Sequence, residues 1–260
     1  MLKNNTSSKA AAAQERQARI LLYIREQGTA SIGQIADEFA VSEMTVRRML
    51  HQLSDQNLII RTPGGALAVR SGSMERTFLE RAGKMSAAKD ALGRAAASLV
   101  EEGETIVLDS GTTTQYVARH LAPRSNIVVI TASLAVLEEL AGSPSIEVKL
   151  TGGSYRRASH DLCGLALEAA FENIYADRVF FGAAALSFTK GAMNFDQEMS
   201  RSILKAGRQK VLVIDSSKIG MEAVYRYCPI EQCDLVITDS GAKAADVKRL
   251  RKLTQVIVTE

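Results

Sequence analysis

The sequence predicts an α/β chain in two parts, three short helices and a β-hairpin followed by a doubly wound, mostly parallel sheet. Three observations carry this. Apolar residues recur at helical spacing up to Leu53, and from Thr105 onward apolar β-branched runs alternate with helical stretches. The charge is also divided. Residues 1–70 hold nine Lys/Arg against six Asp/Glu, whereas residues 71–260 hold 23 of each, so the whole net charge of +3 lies in the first quarter. A basic end on a neutral body suggests a polyanion-binding module joined to something else, and 260 residues suit two domains.

Taken in order, Ala18, Leu21, Leu22 and Ile24 form the apolar stripe of a first helix that Gly28 stops. Ser31 caps a second, with Ile32, Ile35, Ala36 and Phe39 on one face. After the Ala40-Val41 turn, Ser42 caps a third, with Val46, Met49, Leu50 and Leu53 facing inward. Strands Leu58–Arg61 and Ala66–Val69 follow, and Gly64-Gly65 is read as supplying the positive φ angles of a tight hairpin. These elements, within 13–70, describe a winged helix-turn-helix with the helix-turn-helix proper at about 30–49.

Residues 71–85, opening with Ser71-Gly72-Ser73, read as a linker. The second domain is placed at 86–240, with 241–260 adding a helix and a strand that complete it. It opens with an amphipathic helix, Ser86–Val100. Its strands are placed at Thr105–Leu108, Ile127–Ile130, Ile146–Leu150, Arg178–Phe181, Lys210–Ile214, Leu235–Thr238 and Gln255–Val258. Continuous apolar strands of this kind belong to a sheet covered on both faces, and such sheets bind ligands beyond the carboxyl ends of their strands.

The third helix presents a polar stripe that includes Ser42, Thr45, Arg47, Arg48, His51 and Gln52. Arginine can bridge guanine O6 and N7 and glutamine can pair with adenine, so the stripe suits double-stranded DNA. Thr45 and Arg48 are assigned to base edges, Ser42, Arg47 and Arg61 to phosphates, and Gln52 to the same interface.

In the second part, Asp109-Ser110-Gly111-Thr112-Thr113-Thr114 follows a strand and opens a helix. That turn aims backbone N–H groups and the helix dipole at one spot, which suits a phosphate. Lys218, in Asp215-Ser216-Ser217-Lys218-Ile219-Gly220, and Gly152-Gly153, in Thr151-Gly152-Gly153-Ser154-Tyr155-Arg156-Arg157, follow other strands at the same rim. An ordinary capped turn, a surface lysine and solvated arginines are the plainer readings of these segments.

The segments Val41-Ser42-Glu43-Met44-Thr45-Val46-Arg47-Arg48-Met49-Leu50 and Arg61-Thr62-Pro63-Gly64-Gly65-Ala66 resemble the DeoR family of bacterial transcription regulators, whose patterns are V-S-x-x-T-[IV]-R-R-D-L and R-x-H-G-G-A. Met49 and Pro63 depart from them. The later segments are similar to that family's D-x-G-[ST]-T, T-G-G-x-x-R and D-x-S-K-[FI]-G. The resemblance implies a sensor domain related to ribose-5-phosphate isomerase that binds a phosphorylated sugar and changes operator affinity. It implies that Ser110 to Thr114 form the phosphate loop, with Lys218 as counter-charge. Glu198 matches an acidic position suited to sugar hydroxyls. It also implies a repressor of a carbohydrate operon.

Other classes fit less well. An isomerase needs a carboxylate base at the reacting carbon, and Gly182-Ala183-Ala184-Ala185 has none, so no catalytic residue is assigned. His51, His120 and His160 have no metal-binding spacing, so neither metal nor cofactor is expected. No apolar run reaches membrane-spanning length, the start lacks a signal-peptide core, and the three cysteines form no C-x-x-C pair, which together predict a cytoplasmic protein. Two-fold operators call for paired modules, so a homodimer or tetramer is expected.

Overall fold

The computed structural model describes residues 16–17, 19–21, 23–24, 27, 29–55, 59–62, 64–68, 78–195 and 202–260. Ala18, Leu22, Gly28, Leu58, Pro63, Ser71-Gly72-Ser73 and Glu198 lie outside them. The chain divides into two compact units at Met74/Glu75.

In the first unit, strand β1 (Thr29–Ser31) leads into helix α1 (Ile32–Glu38). Ser31 caps α1 through a capping box: its Oγ accepts from Gln34 N at 3.1 Å, and Gln34 Oε1 accepts from Ser31 N at 2.8 Å. Helix α2 (Glu43–Asp55) follows, then strands β2 (Ile59–Thr62) and β3 (Gly65–Ala68). Val46, Met49, Leu50 and Leu53 of α2 are buried with Ile20, Ile24, Ile32, Ile35 and Ile59. The strands order as β1-β3-β2, antiparallel. The reason expected for Gly64-Gly65 was wrong, because neither residue has a positive φ. Gly65 is required by close approach instead: a Cβ there would lie 2.2 Å from the Ala30 carbonyl oxygen of β1. The sequence showed no sign of β1, whose three residues are too short to display a period.

In the second unit, part of the expected linker is folded. Phe78–Ala82 forms helix α3; Phe78 is buried and its N–H donates to Ala158 O at 2.7 Å. Helix α4 (Ser86–Ala97) ends a turn earlier than Val100, and Val100 remains in the core. All seven expected strands then join one parallel sheet, in the order β15-β14-β12-β9-β4-β5-β6. They are β4 (Thr105–Leu108), β5 (Ile127–Thr131), β6 (Ile146–Leu150), β9 (Ala176–Phe181), β12 (Gly207–Val213), β14 (Leu235–Asp239) and β15 (Gln255–Thr259).

Adjacent strand residues face opposite sides, and both sides are covered. Ile106, Leu108, Phe180, Val211 and Val213 pack with Leu92 and Ala96 of α4 and with Val117 and Leu121 of helix α5 (Thr112–Leu121). Val107, Val179, Phe181 and Leu212 pack on the other side with Leu167 and Phe171 of helix α7 (Leu165–Phe171) and with Ile203 and Leu204 of helix α8 (Ser202–Lys205). Helix α6 (Leu134–Leu140) adds Val136 and Leu140 to the first side, and helix α9 (Ala244–Leu250) adds Leu250 to the second. This is the doubly wound α/β fold that the apolar runs predict.

Two small β elements have no counterpart in the sequence reading. One is the hairpin β7 (Ser154–Arg156)/β8 (Asp161–Cys163); the other is the antiparallel sheet of β10 (Ala185–Ser187), β11 (Gly191–Asn194) and β13 (Tyr225–Cys228). The three cysteines are buried. No helix among the described residues is long and apolar enough to cross a membrane.

Candidate nucleic-acid interface and anion site

The burial of Val46, Met49 and Leu50 turns the rest of α2 outward. Ser42, Arg47, Arg48 and Gln52 are exposed, as is Arg61 on β2. Met44, Thr45, Arg47, Arg48, His51 and Arg61 line a shallow concavity of about 500 Å³. Thr45 is half-buried and its hydroxyl lies 2.9 Å from that of Ser42, which also accepts from Thr45 N at 3.3 Å. Ser42 therefore caps the helix as well as standing at its surface. Arg47 pairs with Glu43 one turn back at 3.3 Å, an exposed contact that a phosphate could displace at small cost.

The second site follows from sheet topology. From β4 the chain winds to one side through β5 and β6, and from β9 to the other through β12, β14 and β15. The switch point therefore lies between β4 and β9, where a crevice opens beyond the carboxyl ends of such strands. The Asp109-to-Thr114 turn leaves β4 at this place. Gly111, before the first helical residue, has φ +149°, which a side chain would strain. Thr112, Thr113 and Thr114 are all buried, and Thr114 Oγ1 donates to Gly111 O at 2.9 Å. The first N–H groups of a ten-residue helix thus lie at the switch point, with the positive end of its dipole.

Asp109 is fully buried beneath this turn. Its Oδ1 accepts from Ser110 N at 2.7 Å and its Oδ2 from the Tyr227 hydroxyl at 3.1 Å. Burial lifts its carboxyl to about 7 against the pull of those two donors. Burial, and then the Asp109 charge, also push the Tyr227 phenol well above its usual range. A protonated Asp109 can stand near an anion, which a carboxylate would repel.

Lys218 ends the short turn after β12, its Nζ 3.2 Å from buried Asp215 Oδ2. Burial pushes the Asp215 carboxyl up, but the Lys218 charge and the Ser217 hydroxyl outweigh it and hold the group below its ordinary value. Asp239 fixes the turn, accepting from Ser216 N and Oγ at 2.6 and 2.7 Å. Gly152 and Gly153 follow β6, and a Cβ on Gly153 would meet Cys163 O of β8 at 2.5 Å. The two arginines after them differ. Arg157 is exposed, whereas Arg156 is largely buried in a two-pronged ion pair with Asp161, at 2.8 and 2.7 Å. Arg156 and Asp161 are close enough to act on the Asp109 charge, which brings this segment toward the β4 turn. Glu198 lies outside the described residues.

Two residues of this site escape sequence reasoning. Tyr227 sits on a strand of the unforeseen antiparallel sheet. Lys89 lies on α4, its side chain buried and its Nζ donating to the Arg81 carbonyl of α3. Burial, then repulsion by Lys218, lower its ammonium to about 8, partly offset by Asp215. The available signal was a lone lysine among the alanines of an amphipathic helix, which reads as solvated until the fold is known. Lys218 and Lys89 both act on Asp215, while Asp239 binds the same turn through Ser216, so two ammonium groups stand with two carboxylates at this strand edge. Among the described residues, no cluster of His, Cys, Asp and Glu could hold a metal.

Residues 16–71 match the DeoR-like helix-turn-helix domain family, and residues 84–240 match the DeoR C terminal sensor domain family. The chain belongs to the DeoR family. It is similar to the transcriptional repressor GlcR of Bacillus subtilis, 30% identical over 95% of this chain and 96% of that protein. It is likewise similar to the regulator GlpR of Haloferax volcanii, 32% identical over 88% and 91%. The glycerol-3-phosphate regulon repressor of Escherichia coli is 30% identical over 87% and 90%. A ribose 5-phosphate isomerase A from Methanocaldococcus jannaschii overlaps half the chain and 53% of its own, with a TM-score of 0.37 and 19% identity. As a DeoR-family member the protein is a DNA-binding transcriptional regulator and not an enzyme.

Proposed function

We propose that this regulator is a cytoplasmic repressor of a carbohydrate operon, binding its operator as a homodimer or tetramer through α2 and releasing it when a phosphorylated sugar occupies the β4–β9 switch point. One arrangement carries the effector reading: α5 opens with its amino end at the switch point, and Lys218, with Lys89 beside it, stands at the end of β12 on the same sheet edge. Repression follows the similar proteins GlcR and the glycerol-3-phosphate regulon repressor, both repressors by name.

On this reading Ser110 to Thr114 hold the phosphate, Lys218 neutralises it, and Gly152-Gly153 keep the rim open, with Glu198 near the hydroxyls. Thr45, Arg48 and Gln52 read bases while Ser42, Arg47 and Arg61 hold phosphates. The path of the signal starts at Lys89, whose ammonium joins α3 to the edge that carries Lys218. An arriving dianion draws that ammonium away from the Arg81 carbonyl and loosens α3. Differential affinity of the effector for the two conformations then lowers operator affinity, by a coupling of about 1–3 kcal/mol.

The test is operator footprinting with and without a panel of sugar phosphates, each beside its unphosphorylated parent. Release by a phosphorylated member alone supports the reading; release by parents as readily, or by none, rejects it.

A further inference from the structure

β9 stands between β4 and β12, the strands that carry the Asp109 turn and Lys218. Its own carboxyl end, Gly182-Ala183-Ala184, brings no polar side chain to the middle of the crevice. One arrives from elsewhere. Asn194 ends β11, where it faces Tyr225 of β13, the strand whose Tyr227 reaches Asp109. Its Oδ1 accepts from Ala184 N at 2.9 Å. An N–H donor requires the oxygen at that place, so the amide orientation is fixed and Nδ2 points away from Ala184. Among the described residues Nδ2 has no hydrogen-bond partner, and it is buried in a residue only 6% exposed. A buried amide donor left unpaired is costly, and the cost disappears when an acceptor arrives.

We propose that Asn194 is a specificity-determining residue of the effector site, its Nδ2 donating to a hydroxyl or carbonyl oxygen of the bound molecule beyond the phosphate. The inference rests on the anion-site reading above. The phosphate already has the helix amides and Lys218, and a neutral amide suits a neutral oxygen. Asn194 thus tells a phosphorylated polyol from bare phosphate.

Calorimetric titration of the full chain with glucose 6-phosphate, fructose 6-phosphate, glycerol 3-phosphate and inorganic phosphate tests this. The quantity read is the ratio of the best sugar-phosphate affinity to that of inorganic phosphate. Asn194→Ala is expected to lower the ratio about tenfold while Lys218→Ala weakens every ligand. Asn194→Asp keeps an acceptor for Ala184 N–H and removes the donor; it is expected to lower the ratio at least as far, and it serves if the alanine variant fails to fold. An unchanged ratio in a folded variant overturns the proposal, as does a wild-type protein that binds inorganic phosphate as tightly as every sugar phosphate. If the wild type binds none of the four, the anion-site reading itself fails and Asn194 falls with it.

Discussion

On α2 the functional side chains stand in water and belong to one helix; at the sheet edge they are buried and come from separate segments. Arg47 and Arg48 are exposed and Arg47 carries only a surface ion pair. Asp109, Asp215, Lys89 and Asp161 are all within 2% of full burial, each with a partner from another residue or element. The difference teaches how each site spends its charge. Exposed arginines keep their hydration until a polyanion displaces counterions, so operator binding weakens steeply with salt. Buried groups have already lost theirs, so their field is strong and little screened, and effector affinity depends on salt far less.

Ways to break that contrast can be ordered by size. Phe180→Ala removes a fully buried ring between the sheet and α4 and is expected to destabilise the second unit by about 3–5 kcal/mol, or roughly 10 °C in thermal unfolding. Circular dichroism would show whether the helix-turn-helix unit keeps its own transition. Next comes a crossed pair. Arg48→Ala is expected to weaken operator binding by about 1–3 kcal/mol without touching effector affinity. Lys218→Ala is expected to do the reverse, leaving the operator bound and removing about 1.5–3 kcal/mol from effector binding. Gel shift and calorimetry on both proteins check the pair, and any crossover of effects would refute the separation of the two sites. Lys89→Met deletes the bond to the Arg81 carbonyl and is expected to lower effector-free operator affinity several-fold and to shrink the further loss that the effector causes.

The smallest effect is a pH dependence. Asp109 sits at about 7 when folded against an ordinary 3.8, so the folded chain holds the proton more tightly. Its contribution to stability is full below about pH 4 and declines as pH rises toward about 7. The unfolding temperature should fall over that window, and Asp109→Asn should remove this part of the slope. Lys89 runs the other way: its folded value is about 8 against 10.5, so its penalty persists below 8 and fades as pH climbs. Effector affinity should therefore drop between about pH 7 and 9, as Asp109 gives up its proton and Lys89 its charge while a phosphomonoester is already a dianion.

Legibility followed element length and local spacing in both units. The caps at Ser31 and Ser42, the inward stripe of α2 and its polar face are local features, with i to i+4 spacing visible in the chain. The seven parallel strands were equally visible, because burial on both faces leaves uninterrupted apolar runs. The turns after β4, β6 and β12 could be marked as polar breaks at strand ends. Short elements escaped. β1, α3 and the β7/β8 hairpin hold three to five residues each, too few for a period, and Gly65 obeyed a steric contact with Ala30 that no turn rule contains.

The sequence by itself determined the family, the two-part architecture, the exposed polar stripe of α2 and the polar turns at the strand ends, since each is written in residues near one another along the chain. Only the tertiary structure decided which strand ends meet. Sheet order brought β4 and β9 together, placed Tyr227 on Asp109 across 118 positions of chain, and buried Lys89 near Lys218. Burial then made those groups unlike their free forms: a carboxyl near neutrality, a lowered lysine and an unpaired amide exist only once water has been excluded by residues distant in sequence.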